Sequence, residues 1–316
     1  MITQLYLLKT LSGLHCGVGE GKNDIDRPTA RDPVTGYPQA PGSSFRGVLR
    51  EHYFNKDKIL ARRVFGPASA DVMIDDPASS VSIGDARLVC LPVRTNQGTF
   101  AYLTSPVALA FFADDLRRTG ADSARLGSLA PPKDKSLLAG GGTRPQIAVT
   151  SNTALRNGVD PVLLEEFDLI VNNDWGTVAD NWAKAIVDLW GNCPAFCKEL
   201  FCPRFAIVCD DVFDFLCETA LPVVTRNSVD ASGIVKDKAL WTEEIVSSEA
   251  IFSGLLHAEP SRSADVSQRL TAAEVMEFMT TKAPRELQLG GKASVGRGVL
   301  SLCFPKPLPA PFTGSP

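Results

Sequence analysis

The chain has 316 residues, 44% of them hydrophobic and 22% charged, with a formal net charge of −4. That apolar fraction can build a sizeable core in one large domain or two ordinary ones, which excludes disordered and fibrous classes. No apolar run reaches the length of a membrane span and residues 1–5 carry no basic segment, so the expectation is a soluble, cytoplasmic protein with no membrane partner.

Residues 4–11 read as a strand, followed by a long loop over residues 13–42. A loop of about thirty residues without evident structure is more often functional than accidental. Pro41-Gly42 forms a turn, Ser43 or Ser44 is a natural N-cap, and a helix runs over residues 44–55. Phe45, Val48, Leu49, His52 and Tyr53 share one face of it, and Arg46 and Arg50 fall together on another. Residues 81–91 and 100–104 read as strands, and residues 106–118 and about 180–189 as helices. Residues 120–204 carry no recognisable motif. A strand over 205–208 leads into a helix over 211–218. Residues 223–242 then read as a hairpin with Asp230-Ala231-Ser232-Gly233 at its tip, where apolar Ile234 and Val235 need a partner. A helix over 271–280 and a strand over 299–304 close the order. The tail over residues 305–316, with five prolines in twelve residues, reads as a mobile end. Strands and helices in this order give an α+β fold.

Two segments carry anion-binding chemistry. The run Leu289-Gly290-Gly291-Lys292-Ala293-Ser294-Val295-Gly296-Arg297-Gly298 holds four glycines in nine positions. Their N–H groups can turn toward a phosphate without Cβ interference, and Lys292 and Arg297 add positive charge. Such loops also close strand turns with no ligand at all. At the start of the first helix, free N–H groups, the hydroxyls of Ser43 and Ser44, and Arg46 and Arg50 form a second candidate. The net negative charge argues against RNA binding, but the acidic residues concentrate at 71–76 and 243–249, which are expected to lie away from the glycine loop. Eight cysteines form no C-x-x-C pair, which favours reduced thiols. Cys193, Cys197, Cys202 and Cys209 cluster, but only the Cys193 to Cys197 gap suits structural zinc.

Five stretches carry a resemblance to a known family: Gly13-Leu14-His15-Cys16-Gly17-Val18-Gly19, Asp26-Arg27-Pro28-Thr29-Ala30-Arg31-Asp32, residues 36–50, residues 223–244 and residues 290–298. Together they resemble the RAMP superfamily of CRISPR proteins, and within it the backbone subunits of type III-B (Cmr) effectors. Val64-Phe65-Gly66-Pro67, Gly84-Asp85-Ala86-Arg87-Leu88, Pro92-Val93-Arg94 and Leu103-Thr104-Ser105-Pro106 follow the order and approximate spacing of that subunit.

The resemblance implies a single domain over residues 1–316. Its ferredoxin-like (RRM-type) core would span about 1–60 and 265–305, with insertions at about 61–210 and a projecting thumb-like hairpin at about 222–245. An open antiparallel sheet of that kind offers a face to single-stranded RNA. The implied partners are CRISPR RNA, target RNA, further copies of the chain in a filament and other Cmr subunits. The implied activity is cleavage of the bound target RNA at regular intervals by a metal-dependent endoribonuclease.

In the family the aspartate matching Asp26 is implicated in cutting, with Asp24 two residues away as a rival register. RNA carries its own nucleophile, the 2′-hydroxyl, so one carboxylate with Mg²⁺ or another divalent ion can suffice. No organic cofactor is expected. His15 and Glu243 are secondary candidates, His15 to protonate a leaving oxygen or touch RNA, Glu243 to hold a metal or orient Asp26. The expected RNA contacts are Ser43, Ser44, Arg46, Arg50, Arg226, Gly290, Gly291, Lys292, Ser294, Gly296, Arg297 and Gly298. Ile245 stands where the family often has an aromatic residue. Three rivals share part of this pattern: a filament subunit that cuts nothing, a RAMP that processes precursor CRISPR RNA, and the equivalent subunit of a type III-A complex.

Overall fold

The computed structural model describes residues 1–307 apart from 20, 22–24, 68–77, 122–125, 128, 130–143, 159–160, 192–196, 230–234 and 263–265. The chain begins with β1 (Ile2–Thr10), β2 (Gln39–Ala40), α1 (Gly42–Lys56), α2 (Lys58–Phe65), β3 (Val81–Ile83), β4 (Ala86–Arg94), β5 (Phe100–Thr104) and α3 (Pro106–Arg118). A middle section follows with β6 (Gln146–Val149), β7 (Val162–Leu164), β8 (Phe167–Val171), α4 (Gly176–Trp190), α5 (Lys198–Phe201), β9 (Phe205–Val208) and α6 (Asp210–Thr219). The last third holds β10 (Val223–Val229), β11 (Val235–Glu244), β12 (Ile251–Ala258), α7 (Ala272–Thr281), β13 (Glu286–Gln288) and β14 (Val299–Cys303).

One large mixed sheet organises these elements, in the order β13-β14-β1-β12-β4-β5-β9-β6-β8-β7, with β2 on β4 and β3 on β12. From β13 to β5 every neighbouring pair is antiparallel; β5 with β9 and β6 with β8 are parallel. β10 and β11 pair only with each other within the named strands and form a separate ribbon.

The register of β1 explains its near-continuous apolar sequence, because residues 5–10 are buried on both faces. On one face Tyr6 packs against Phe45 of α1 at 4.8 Å between ring centres. On the other, Leu7 stands opposite Cys303, whose Sγ lies 3.8 Å from the Leu189 carbonyl at the end of α4. The sheet face that was expected to be open to RNA is thus covered around its central strands. Phe45, Leu49 and Tyr53 repeat at four-residue spacing and are fully buried, each contributing roughly 1.5–3 kcal/mol. Tyr53 also meets Phe278 of α7 at 4.6 Å and donates its hydroxyl to the Met279 carbonyl at 2.6 Å.

Helix ends follow local chemistry. Ser105 caps α3 ahead of Pro106, and Thr271 with Glu274 closes a capping box on α7. The cap expected at Ser43 or Ser44 sits instead at Pro41, and both serines fall inside the exposed first turn of α1. The reason is a distant acceptor: the Asp85 carboxylate takes the Gly42 N–H at 2.7 Å, so the helix starts earlier. The run 81–91 is likewise two strands, broken at Gly84, whose carbonyl accepts the Tyr6 hydroxyl at 2.6 Å. Among the described residues no helix is long and apolar enough to cross a membrane.

Candidate nucleic-acid interface

The β10–β11 ribbon leaves one edge of β11 unpaired, and the long loop fills it. Arg27 donates its N–H to the Thr242 carbonyl at 3.1 Å, and Glu244 donates its N–H to the Arg27 carbonyl at 3.0 Å, a parallel bridge between Arg27 and Glu243. Strand alternation then sorts the side chains: Asp26 shares a face with Thr242 and Glu244, while Arg27 shares the other with Trp241 and Glu243.

Asp26 is exposed and held at its root. Thr242 donates its N–H to Asp26 Oδ2 at 2.7 Å and its hydroxyl to the same oxygen at 3.0 Å, and Thr242 Oγ1 accepts the Asp26 N–H at 2.9 Å. The N–H and hydroxyl of Thr242, followed by the Arg27 charge, hold the Asp26 carboxyl below its usual range. Glu244 is buried and anchors the loop further on, accepting the Thr29 N–H at 3.0 Å and the Arg31 guanidinium at 2.5 Å. His15 is also buried, and its Nδ1–H donates to the Glu244 carbonyl at 2.8 Å. That bond braces the junction of loop and ribbon and sets Nε2 beside Gly17.

Glu243, 1% exposed, is the electrostatic hub of the opposite face. Its carboxylate meets Lys292 Nζ at 2.7 Å, Arg27 Nη1 at 3.4 Å and Arg226 Nε at 3.6 Å, and accepts the Trp241 Nε1–H at 2.6 Å. Burial alone would raise this carboxyl, but the hydrogen bonds from Lys292 and Trp241 and the charges of Lys292 and Arg226 outweigh it and hold it at about 2. Two cations also lie against the Trp241 ring, Arg27 at 4.7 Å and Lys292 at 5.4 Å from its centre. The acidic stretch 243–249 therefore begins in direct contact with the glycine loop rather than away from it, because a buried acid is what gathers these cations. Glu243 shares no face with Asp26, and the residue that orients Asp26 is Thr242.

The glycine loop uses most of its character internally. Gly291 donates its N–H to the His15 carbonyl and Gly298 donates to the Gly13 carbonyl, both at 2.9 Å; Gly296 and Arg297 donate to Ala293 and Lys292. Gly290 and Gly298 both have φ of +77°, and a Cβ there would lie 2.4 Å from the His15 oxygen and 2.0 Å from the Leu289 oxygen. Gly290 thus lets the loop press against His15, and Gly298 lets it close on its own Leu289. Ser294 and the backbone around it are exposed. Arg297 folds back over Gly13, where a Cβ would sit 2.7 Å from its Nη1, and its Nε is buried without a partner.

The basic residues of α1 form a second, separate feature. Ser43, Arg46, Arg50, Phe54 and Lys58 line an open groove of about 370 Å³, with Glu51 at its side. Arg46 donates to the Phe65 carbonyl at 2.7 Å, and Arg50 lies over the Phe54 ring at 4.8 Å. Desolvation, then the neighbouring Arg50 charge, lowers the Arg46 pKa.

The hairpin tip with Ile234, the rival Asp24, the acidic residues 71–76 and Cys193 lie outside the described residues. Among the described residues no three His, Cys, Asp or Glu side chains come together as a metal cage. Asp26 offers one carboxylate, a donor set suited only to an ion completed by phosphate and water. Cys197 is exposed, Cys202 half-buried and Cys209 buried. Sequence reasoning passed over Thr242, Trp241, Glu244, Arg27 and Arg31. The alternation within Trp241-Thr242-Glu243-Glu244 was the available signal, since it places one acid on each face of the strand.

The family model of the RAMP superfamily matches residues 7–301. The chain is 30% identical over 300 residues to the CRISPR system Cmr endoribonuclease Cmr4 of Pyrococcus furiosus, covering 93% of each sequence. Its structure is similar to a crystal structure of oligomeric Cmr4 from Pyrococcus furiosus, with a TM-score of 0.67 and 25% identity over 97% of this chain and 98% of that one. It also shares its fold, at a TM-score of 0.68 and 18% identity, with a chain of the type III-B Cmr-beta bound to cognate target RNA; 96% of this chain and 97% of that one are covered.

Proposed function

The chain belongs to the RAMP superfamily, and on that premise we propose that it is the backbone subunit of a type III-B Cmr ribonucleoprotein, binding CRISPR RNA, assembling with copies of itself and other Cmr subunits in the cytoplasm, and cutting complementary target RNA at regular intervals. The observation that carries the reading is the exposed Asp26 carboxylate, held by Thr242 of the separate β10–β11 ribbon beside a junction of three cations. The relative's name as a Cmr endoribonuclease supports the same reading.

The strand order supports a ferredoxin-like core in which β14-β1-β12-β4 are the four strands and α1 and α7 the two crossing helices. The core read at 1–60 and 265–305 is then completed by β4 and β12. β10–β11 is the thumb-like element, and base pairing reads the target while the protein holds the phosphate backbone. Lys58 joins the expected contacts Ser43, Arg46 and Arg50 in the α1 groove.

Asp26 works on the reacting hydroxyl. Because Thr242 stabilises its ionised form, it is a weak proton acceptor and a good orienting anion, so it aligns the 2′-hydroxyl for attack on the scissile phosphate and takes up its proton late, as the P–O5′ bond breaks to leave a 2′,3′-cyclic phosphate and a 5′-oxygen that water protonates. A bound Mg²⁺ or other divalent ion would supply charge neutralisation at the phosphate, with Asp26 as its protein ligand. Arg27, projecting from the opposite face of the same strand, pairs with Glu243 and so fixes the loop that carries Asp26.

The test is reconstitution. The complex is assembled on a labelled guide with complementary target RNA and Mg²⁺, and the products are read on a sequencing gel. Guide-dependent fragments at constant spacing are expected. Tight target binding with intact RNA leaves a non-cutting filament subunit, and cutting of hairpin precursor RNA by the isolated chain points to the processing class.

A further inference from the structure

We propose that Thr242 is the positioning residue for Asp26, so that the hairpin stem itself sets the geometry of the cutting carboxylate. The inference rests on the reading of Asp26 as the cutting group. Its basis is a reciprocal pair: the Thr242 hydroxyl donates to Asp26 Oδ2 at 3.0 Å while its oxygen accepts the Asp26 N–H at 2.9 Å. The Thr242 N–H adds a third bond to the same Oδ2 at 2.7 Å. One hydroxyl therefore fixes both the backbone and the carboxylate of Asp26, and only a side chain that donates and accepts at once can do this.

The anchor is itself rigid. Thr242 stands opposite Thr225 in the β10–β11 ladder, and the Arg27 bridge locks the loop to its backbone one residue further on. Functional groups held on strands are placed more accurately than groups on free loops. The charged side chains around Asp26 do not compete for this oxygen: Arg27 and Glu243 project to the opposite face, and Glu244 is occupied by Thr29 and Arg31. Asp26 is thus exposed to an RNA strand yet unable to swing.

Thr242→Val keeps the shape and the backbone N–H but removes the two hydroxyl bonds, and Thr242→Ser restores the hydroxyl. In the assembled complex with saturating target, Thr242→Val is expected to slow single-turnover cleavage by roughly 10–100-fold while target affinity stays within about 2-fold, and Thr242→Ser to recover to within about 3-fold of the wild type. In the isolated chain, amide hydrogen exchange at Asp26 should quicken in the valine variant and return to its protected rate in the serine variant. That second readout shows whether the hydroxyl holds the loop without reference to cleavage. Where Asp26→Asn abolishes cutting, three results overturn the role of Thr242: a valine variant that cuts at the wild-type rate, a serine variant as slow as valine, or a target affinity that falls in step with the rate. An Asp26→Asn complex that still cuts sinks the reading of Asp26 and the role of Thr242 with it.

Discussion

Two groups of cations sit in segments expected to hold RNA, and they are built on opposite electrostatic plans. At the hairpin base Arg27, Arg226 and Lys292 converge on the buried carboxylate of Glu243. Along α1, Arg46 and Arg50 rest on a backbone carbonyl and aromatic rings, in a groove lined by three basic residues and one acid. Both groups set three cations against one acid, but in the first the acid is buried and meets all three, which ties the loop, hairpin and glycine turn into one unit. In the second, Arg46 and Arg50 rest on neutral groups along an open groove, the arrangement that the proposed guide contact uses. Counting basic residues would have made the two equivalent.

The difference can be broken most severely at Glu243. Glu243→Ala leaves three converging cations without their acid, and is expected to destabilise the fold by roughly 2–4 kcal/mol in urea denaturation. The double variant Arg46→Ala with Arg50→Ala should cost only about 1 kcal/mol by the same measurement, because it removes partly exposed packing and one hydrogen bond. Equal losses would erase the distinction.

A pH series sharpens the same contrast. The Glu243 carboxyl is depressed from 4.5 to about 2 in the folded chain. Its contribution is therefore fully present above the unfolded value and is lost as pH falls from about 4.5 toward 2, a loss on the order of 2–3 kcal/mol. Glu243→Gln should flatten that part of the stability profile, while the Arg46 and Arg50 double variant should leave it unchanged.

The two clusters should also differ in RNA binding. Removing Arg46 and Arg50 should weaken guide binding about 10–30-fold and reduce the salt slope by about 0.9 for each lost phosphate contact. Lys292→Ala should change the slope less, since its Nζ is already bound to Glu243. A larger slope change for Lys292 would reverse the assignment of the two clusters.

Much of the fold was legible where local signals agreed with the tertiary structure. Ser105-Pro106 marked the start of α3, and Val223 to Val229 with Val235 to Glu244 fall inside the expected hairpin. The middle of the chain was illegible because β6, β7 and β8 are three to five residues long, and β6 borrows its register from β9 far along the sequence. At the site, Asp26 was visible only through the family motif, since a solvated loop aspartate looks the same. Arg297 illustrates the limit. Its spacing in a glycine-rich run suggests a phosphate ligand, whereas the missing Cβ at Gly13 gives its side chain a place to lie back against the fold.

The most direct measurement compares wild-type and Asp26→Asn chains in the assembled complex, by single-turnover cleavage of a saturating, complementary target RNA and by target affinity on the same preparations. Asparagine keeps a carbonyl oxygen for the Thr242 bonds, so geometry is preserved and only the charge is lost. The expected result is a cleavage rate reduced by about 10³-fold or more with target affinity unchanged. Regularly spaced cuts persisting at the wild-type rate in the Asp26→Asn complex would contradict it.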